Sequence, residues 1–356
     1  MRSQADKTEA FMGSRTISAQ RRTPITVLQS LRPQTADNPY VKQVVAAVAS
    51  HADVAFFSWR TALFGRYDVF HVHWPEFLLR APDRSRPLQY ALFLALILRT
   101  ALSRRPVVRT LHNLEPHEGA SAVERFLLRL LDRRTRMWIR LNAVTADRAP
   151  QTVTILHGHY RDWFARLEVP ASVPGRLLYF GLIRPYKGVE TLLDGFRALD
   201  PELVPDAQLR IVGHPSTDAL RRGIVDACNA DPRIGALLTY VDDATLAREI
   251  GLAELVVLPF RQMLNSGSLL LALSLDRPVL VPRNEANEAL AQEVGPGWVY
   301  MYDGELDAGT LAAALWEVRI TPRTPTPDFS RREWSDAGQR HYRAYLAAIR
   351  GEAIEA

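Results

Sequence analysis

The chain has 356 residues but one cysteine, Cys228, so no internal disulfide can form and a reducing compartment is the natural setting. It also lacks an apolar run long enough to cross a bilayer. The best candidate, residues 88–102 (LQYALFLALILRTAL), is interrupted by Arg99 and falls short of the roughly 20 residues a spanning helix needs. That segment reads as a buried or interfacial helix. No secretory signal is visible, because residues 1–23 are polar and basic with no apolar stretch, and they read as a disordered tail. The location expected is cytoplasmic, with the inner face of a membrane as an option. Charge of one sign is not in large excess either: 44 Lys and Arg against 39 Asp and Glu leave +5, too little to argue for nucleic acid. A repeat of solenoid period is missing as well.

What is present suits a packed protein of two domains, with 47% hydrophobic and 23% charged residues. Short β-branched or aromatic runs alternate with longer helical patterns, the signature of parallel sheets covered by helices on both faces. Strands are predicted at 25–29, 54–58, 68–73, 107–111, 139–143 and 153–156, then at 177–180, 208–212, 237–240, 255–258, 278–281 and 297–300. Helices are predicted near 39–50, 87–104, 121–136, 188–198, 217–230, 245–251, 268–275, 285–294 and 331–348. The segment VPASVPG (169–175) concentrates proline and small residues between two periodic regions and marks a linker. The fold class expected is α/β: two Rossmann-like doubly wound domains facing each other across a cleft. Residues 24–168 form the acceptor-side domain and 169–328 the nucleotide-sugar domain. Residues 329–356 form a C-terminal helix able to cross back to the first domain.

Four segments carry a resemblance. DVFHVHWPE (68–76) and RTLHNLE (109–115) resemble strand ends of the first domain in retaining-type GT-B glycosyltransferases. YFGLIRPYKG (179–188) resembles the opening of their second domain, V-G-R-x-x-x-x-K-G. LVVLPFRQMLNSGSLLLALSLDRPVLVP (255–282) stands in the place of their P-S-x-x-E-G-F-G segment. More narrowly, HVHWPE with NSGS is similar to the bacterial GDP-mannose:glycolipid 4-β-D-mannosyltransferases and related exopolysaccharide enzymes. The likeness extends from about Ile25 to Tyr302. Two departures stand out. The arginine after the motif glycine is Leu182 here, with Arg184 two residues on, and the E-x7-E pair is replaced by residues near Met263 and Leu271.

The resemblance implies a glycosyltransferase that moves a hexose, mannose as the first guess, from a nucleotide-diphosphate sugar to a lipid-linked glycan or polysaccharide. A GT-B nucleotide-sugar epimerase and a non-catalytic nucleotide-sugar-binding subunit are the alternatives. Donor contacts fall on Gly181, Arg184 and Lys187, where cations in a turn can meet a pyrophosphate, and on Asn265, Ser266, Gly267 and Ser268, where a helix begins and its free N–H groups attract anions. The bland readings are a solvated loop and an ordinary N-cap. His112 is the histidine that the family places against the sugar, and Glu76 and Glu115 are the candidate bases for the acceptor hydroxyl. His71 and His73 share one face of their strand, and with Trp74, His157, His159 and Tyr160 they are candidate acceptor or sugar contacts. Packing of a hinge is the competing explanation for the last three. No cofactor and no metal are expected: Asp242-Asp243 reads as a helix cap, and a zinc site on His71, His73 and His112 has no fourth ligand. Arg99, Arg104 and Arg105 beside the 88–102 helix leave room for a peripheral membrane contact.

Overall fold

A computed structural model describes residues 25–32, 38–81, 84–112, 121–145, 151–261 and 265–353. The first half runs β1 (Thr26–Gln29), α1 (Pro39–Ala49), β2 (Asp53–Phe56), α2 (Trp59–Phe64), β3 (Val69–Val72), α3 (Pro75–Arg80), α4 (Arg86–Leu102), β4 (Val107–Leu111), α5 (Ala122–Arg134), β5 (Thr135–Arg140) and β6 (Thr152–Thr154). A short helix, α6 (Arg161–Phe164), leads to the second half. There follow β7 (Arg176–Phe180), α7 (Val189–Arg197), β8 (Gln208–Val212), α8 (Asp218–Ala230), β9 (Ile234–Leu237) and α9 (Asp243–Leu252). The half closes with β10 (Leu255–Val257), α10 (Gly267–Ser274), β11 (Val279–Pro282), α11 (Glu285–Val294), β12 (Val299–Tyr302) and α12 (Ala308–Ile320), before the last helix, α13 (Trp334–Arg350).

Each half builds one six-stranded parallel sheet, in the orders β2-β1-β3-β4-β5-β6 and β12-β11-β10-β7-β8-β9. The strands are short apolar runs because helices cover both faces and leave no solvated side. In β3 and β10 every residue is buried. Strand order reverses between β1 and β3 in the first sheet and between β7 and β10 in the second. Such switch points open a crevice beyond the carboxyl ends of the strands, so topology alone selects the segments after β1, β3, β7 and β10 as ligand-facing.

Local chemistry sets the helix starts. Asn38, Ser58, Thr217, Asp242, Ser266, Asn284 and Asp307 each accept a backbone N–H as N-cap, and Ser121 with Glu124 completes a capping box. The two-domain α/β architecture read from the sequence is the one found. Two strands are displaced from their predicted places. β5 starts at Thr135 rather than 139, directly at the end of α5, because the basic residues of RRTRMWIR lie at the sheet margin while Met137, Trp138 and Ile139 go inside. β9 ends at Leu237, where 237–240 was predicted, since it pairs with β8 from Ile234 onward and leaves Tyr240 74% exposed. Helices α2, α3, α6 and α12 were not anticipated from the sequence.

α13 leaves the second half and packs along α1, touching β3, β4 and β5 of the first sheet. The close approach requires Gly338, because a Cβ there would meet the backbone carbonyl of Ala47. Gly338→Ala is therefore expected to cost about 1–3 kcal/mol of stability by overpacking. Gly223→Ala in α8, where a Cβ meets nothing within 4 Å, should be neutral or stabilise by about 0.5–1 kcal/mol through helix propensity. Urea midpoints of the two variants check the contrast, and equal shifts would show that the α1–α13 contact is loose.

Candidate active site

The turn after β7 is organised by two glycines. Gly181 has φ +106, and Gly213, at the end of β8, sits so tightly on the Gly181 carbonyl that no Cβ fits. The space a side chain at Gly181 would fill is bordered by Ser268 Oγ at 3.3 Å and Lys187 Nζ at 3.7 Å. Those two groups and the open face of the glycine thus converge on one point. Lys187 closes a short 3-10 turn (Pro185–Lys187), and Gly188, with φ +66, turns the chain into α7 against the Pro259 carbonyl. The Lys187 ammonium lies 4.6 Å from the centre of the Phe260 ring and has no carboxylate partner among the described residues. Burial, reinforced by the charge of Arg184, pushes its pKa down to about 8. A cation kept partly desolvated beside another cation is a candidate for binding an anion.

α10 supplies the other wall. Ser266 caps it, its Oγ accepting the Leu269 N–H at 3.1 Å. The N–H groups of Gly267 and Ser268 precede the first intrahelical bond and are directed out of the helix end. Asn265 is engaged differently. Its Nδ2 donates to the carbonyls of His112 (3.2 Å) and Leu111 (3.4 Å), and its Oδ1 accepts from Asn142 Nδ2 at 2.8 Å. The two halves therefore touch here, with the start of α10 next to the end of β4.

On the facing side lies a layer of histidines. His73 Nε2 lies 3.0 Å from Gln29 Oε1 and His73 Nδ1 lies 3.2 Å from His112 Nε2, so the three side chains form one hydrogen-bonded chain. His71 is held between Thr110 Oγ1 and the Tyr345 hydroxyl of α13, each at 2.8 Å. Burial is the main cause that lowers all three: His73 to about 3, His71 and His112 well below the usual histidine range, with the neighbouring imidazoles adding to it. The rings are neutral. Trp74 stacks on His112 at 3.9 Å and 23°, and α3 begins at the next residue with Pro75 in its first turn. Glu76 follows, half-buried, its pKa raised by burial against the opposing pull of Arg109 and Arg80. Glu115 and Asn113 lie outside the described residues, as does Met263.

His157, His159 and Tyr160 pack into the joint between the halves. His157 Nδ1 donates to the Gly158 carbonyl at 2.8 Å, His159 Nε2 pairs with Glu333 at 3.3 Å, and the Tyr160 N–H donates to Ser274 Oγ at 2.9 Å. All three are buried. Two aromatic features were missed from sequence. Tyr40, on the first turn of α1, touches the rings of His73, Trp74, His112, His157 and Trp334. His214, after β8, stacks on the exposed Tyr240 at 4.5 Å and 13°, a flat platform beside the Gly181 turn. Only the pairing of distant segments reveals either one. Among the described residues, no group of three His, Cys, Asp or Glu is placed to hold a metal ion.

Residues 174–318 match the family model described as glycosyl transferases group 1. Over 328 residues, 91% of this chain and 93% of the relative, the sequence is 55% identical to a GDP-mannose:glycolipid 4-beta-D-mannosyltransferase of Xanthomonas campestris pv. campestris. Among solved structures, Anabaena HepE in complex with UDP-glucose superposes with a TM-score of 0.57 at 14% identity, covering 92% of this chain and 97% of that one. A UDP-N-acetylglucosamine 2-epimerase superposes with 0.52 at 11% identity, covering 94% and 98%. At such identities these structures establish the fold alone, since one fold serves many activities.

The state of Lys187 predicts a pH dependence for anion binding. Below a pKa of about 8 the ammonium is charged and ready for a diphosphate, whereas above it binding has to take up a proton first. Affinity for a nucleoside diphosphate should fall by up to about tenfold per pH unit above pH 8. Calorimetry in buffers of different ionisation enthalpy should report the proton uptake. Lys187→Met should abolish the dependence and weaken binding by about 1.5–3 kcal/mol. An affinity in the wild type that stays flat into the alkaline range would remove Lys187 from the site.

Proposed function

This chain belongs to the group 1 glycosyltransferases and is a glycosyltransferase, and we propose that it moves mannose from GDP-mannose to a lipid-linked glycan. The observation that carries this reading is the meeting of a partly desolvated Lys187, without a carboxylate partner among the described residues, with Gly181 and the α10 N-terminus, beside the backbone of His112. The donor sugar and glycolipid acceptor are those named for the 55%-identical relative. The diphosphate lies between Lys187, Arg184 and the N–H groups of Gly267 and Ser268, where positive charge and the helix dipole stabilise it as it departs. The base stacks on the His214–Tyr240 platform. A β-linked product from an α-linked donor requires inversion, hence a single displacement with a base on the acceptor side. The acceptor hydroxyl gives its proton to a carboxylate as its oxygen bonds to the anomeric carbon. The bond from that carbon to the β-phosphate oxygen breaks, and its electron pair leaves with GDP. Glu76, with its raised pKa, is suited to take the proton, and Glu115 remains the second candidate. His112 orients the sugar.

Glu76→Gln should lower kcat about 10²-fold or more while GDP affinity stays within about twofold, because the lost group acts in the transition state. Wild-type turnover should decline on acidification at a pH above the ordinary glutamate range, in keeping with the raised pKa. Near-normal turnover in the Gln variant would move the base elsewhere. Release of an epimeric sugar in the absence of acceptor would favour the epimerase instead.

The lipid-linked acceptor also gives meaning to the outer face of the first domain. Helices α2 to α5 pack on one another and expose Phe64 (81%), Phe77, Leu98 (54%), Leu102 (87%) and Phe126. Arg66, Arg104, Arg125 and Arg129 are exposed on the same helices and their connections. No helix among the described residues is long and apolar enough to cross a membrane. Apolar side chains rimmed by arginines suit peripheral attachment to anionic lipid. Replacing Leu98 and Leu102 together by Asp should weaken sedimentation with phosphatidylglycerol vesicles by about tenfold or more, since each leucine contributes on the order of 1.5–3 kcal/mol when buried. Unchanged sedimentation would exclude this face.

A further inference from the structure

α10 belongs to the second sheet, yet residues of the first half hold it at both ends. Near its C-terminus the Tyr160 N–H donates to Ser274 Oγ, and just before its N-terminus Asn265 reaches the end of β4. The orientation of the Asn142–Asn265 amide pair is not arbitrary. Asn142 Oδ1 accepts from the Val144 N–H (3.1 Å), the Thr145 N–H (2.7 Å) and the Thr145 hydroxyl (2.8 Å), so that atom has to be oxygen. Asn142 Nδ2 therefore faces Asn265 and requires an oxygen there. Asn265 is left with its Nδ2 toward two carbonyls, which can only accept. A single chain of hydrogen bonds thus runs from the turn after β5, through Asn265, to the backbone of His112.

We propose that Asn265 is a positioning residue, which fastens the diphosphate-binding end of α10 to the His112 backbone in one register, with Asn142 as its orienting partner. The inference rests on the cleft assignment made under Proposed function. Both ends of the Asn265 amide are spent on protein, so its part in the reaction is geometric and not a donor contact. Transfer is sensitive to such geometry, because reacting atoms must approach to about 3–3.5 Å and a misplacement of about 1 Å can cost on the order of 10²-fold.

The test compares Asn265→Ala, Asn142→Ala, the double variant and Asn265→Asp for GDP affinity by calorimetry and for mannosyl transfer to a glycolipid acceptor. Each alanine variant should lower kcat by about tenfold or more while the Kd for GDP moves less than about threefold. The double variant should be no worse than the worse single one, the mark of residues acting as a unit. Asn265→Asp should fall below Asn265→Ala, because a carboxylate then faces two carbonyl oxygens. Loss of GDP affinity in step with kcat would make Asn265 a ligand contact and overturn the proposal, as would unchanged kcat or multiplicative losses. A wild type that transfers no mannose would defeat the functional reading by itself. Amide hydrogen exchange of the ligand-free protein then decides on the amide pair. Faster exchange in the first turn of α10 is expected for both alanine variants, and rates identical to the wild type would overturn it.

Discussion

Trp334 covers Gly158 so closely that no side chain fits at that glycine, and its Nε1 donates to the His159 carbonyl at 2.7 Å. Two residues earlier Arg332, itself buried, forms a bidentate pair with Glu293 at 2.7 and 2.9 Å and donates to the His157 carbonyl at 3.0 Å. The outgoing strand of the joint is thereby bonded to the returning one. Trp334 also opens α13, the helix that lies along α1 and brings Tyr345 to His71. The placement of the cleft depends on this crossing. A buried arginine without its glutamate would leave an uncompensated charge, so the pair holds the joint in one arrangement more than it adds net stability. His157, His159 and Tyr160 occupy the same joint, and their polar atoms are largely engaged there. Their most direct effect on the site is to set the angle at which the halves meet.

The sheet architecture was legible in the sequence because parallel strands covered on both faces have to be short and apolar throughout. Such runs stand out between longer amphipathic helices, as at Val107–Leu111 and Leu255–Val257. The motif glycines were legible too, since Gly181 and Gly188 bracket a strand-to-helix turn that demands positive φ. Strand limits were less legible where side chains obey the sheet and not the local pattern. Thr135 and Arg136 start β5 with a polar, partly solvated stretch that resembles the end of a helix. Tertiary pairings were not legible at all. Nothing near Asn265 in sequence announces that its amide crosses to Leu111 and His112. Similarly, Tyr40 becomes the hub of five rings only because α13 brings Trp334 onto α1.

The distribution of charge across the cleft follows from what each half is asked to stabilise. On the second-domain side Lys187 has no carboxylate partner among the described residues and lies partly out of water, a cost that the proposed diphosphate would relieve. On the first-domain side burial lowers the imidazoles His71, His73 and His112, and neighbouring rings, His341 and His157 among them, add to it. They stay neutral far below physiological pH. That neutrality matters for glycosyl transfer, in which the sugar passes through a state with positive character at the anomeric carbon. An imidazolium beside the sugar would repel that charge. A neutral ring adds no such charge, and the Gln29–His73–His112 chain holds it in place. In the proposed reaction the cation stands where the leaving group gathers negative charge, and the uncharged hydrogen-bonding layer where the sugar becomes positive. A carboxylate with a pKa raised by burial, such as Glu76, fits the same scheme, because it can accept the acceptor's proton while its charge is only partly quenched by Arg109 and Arg80.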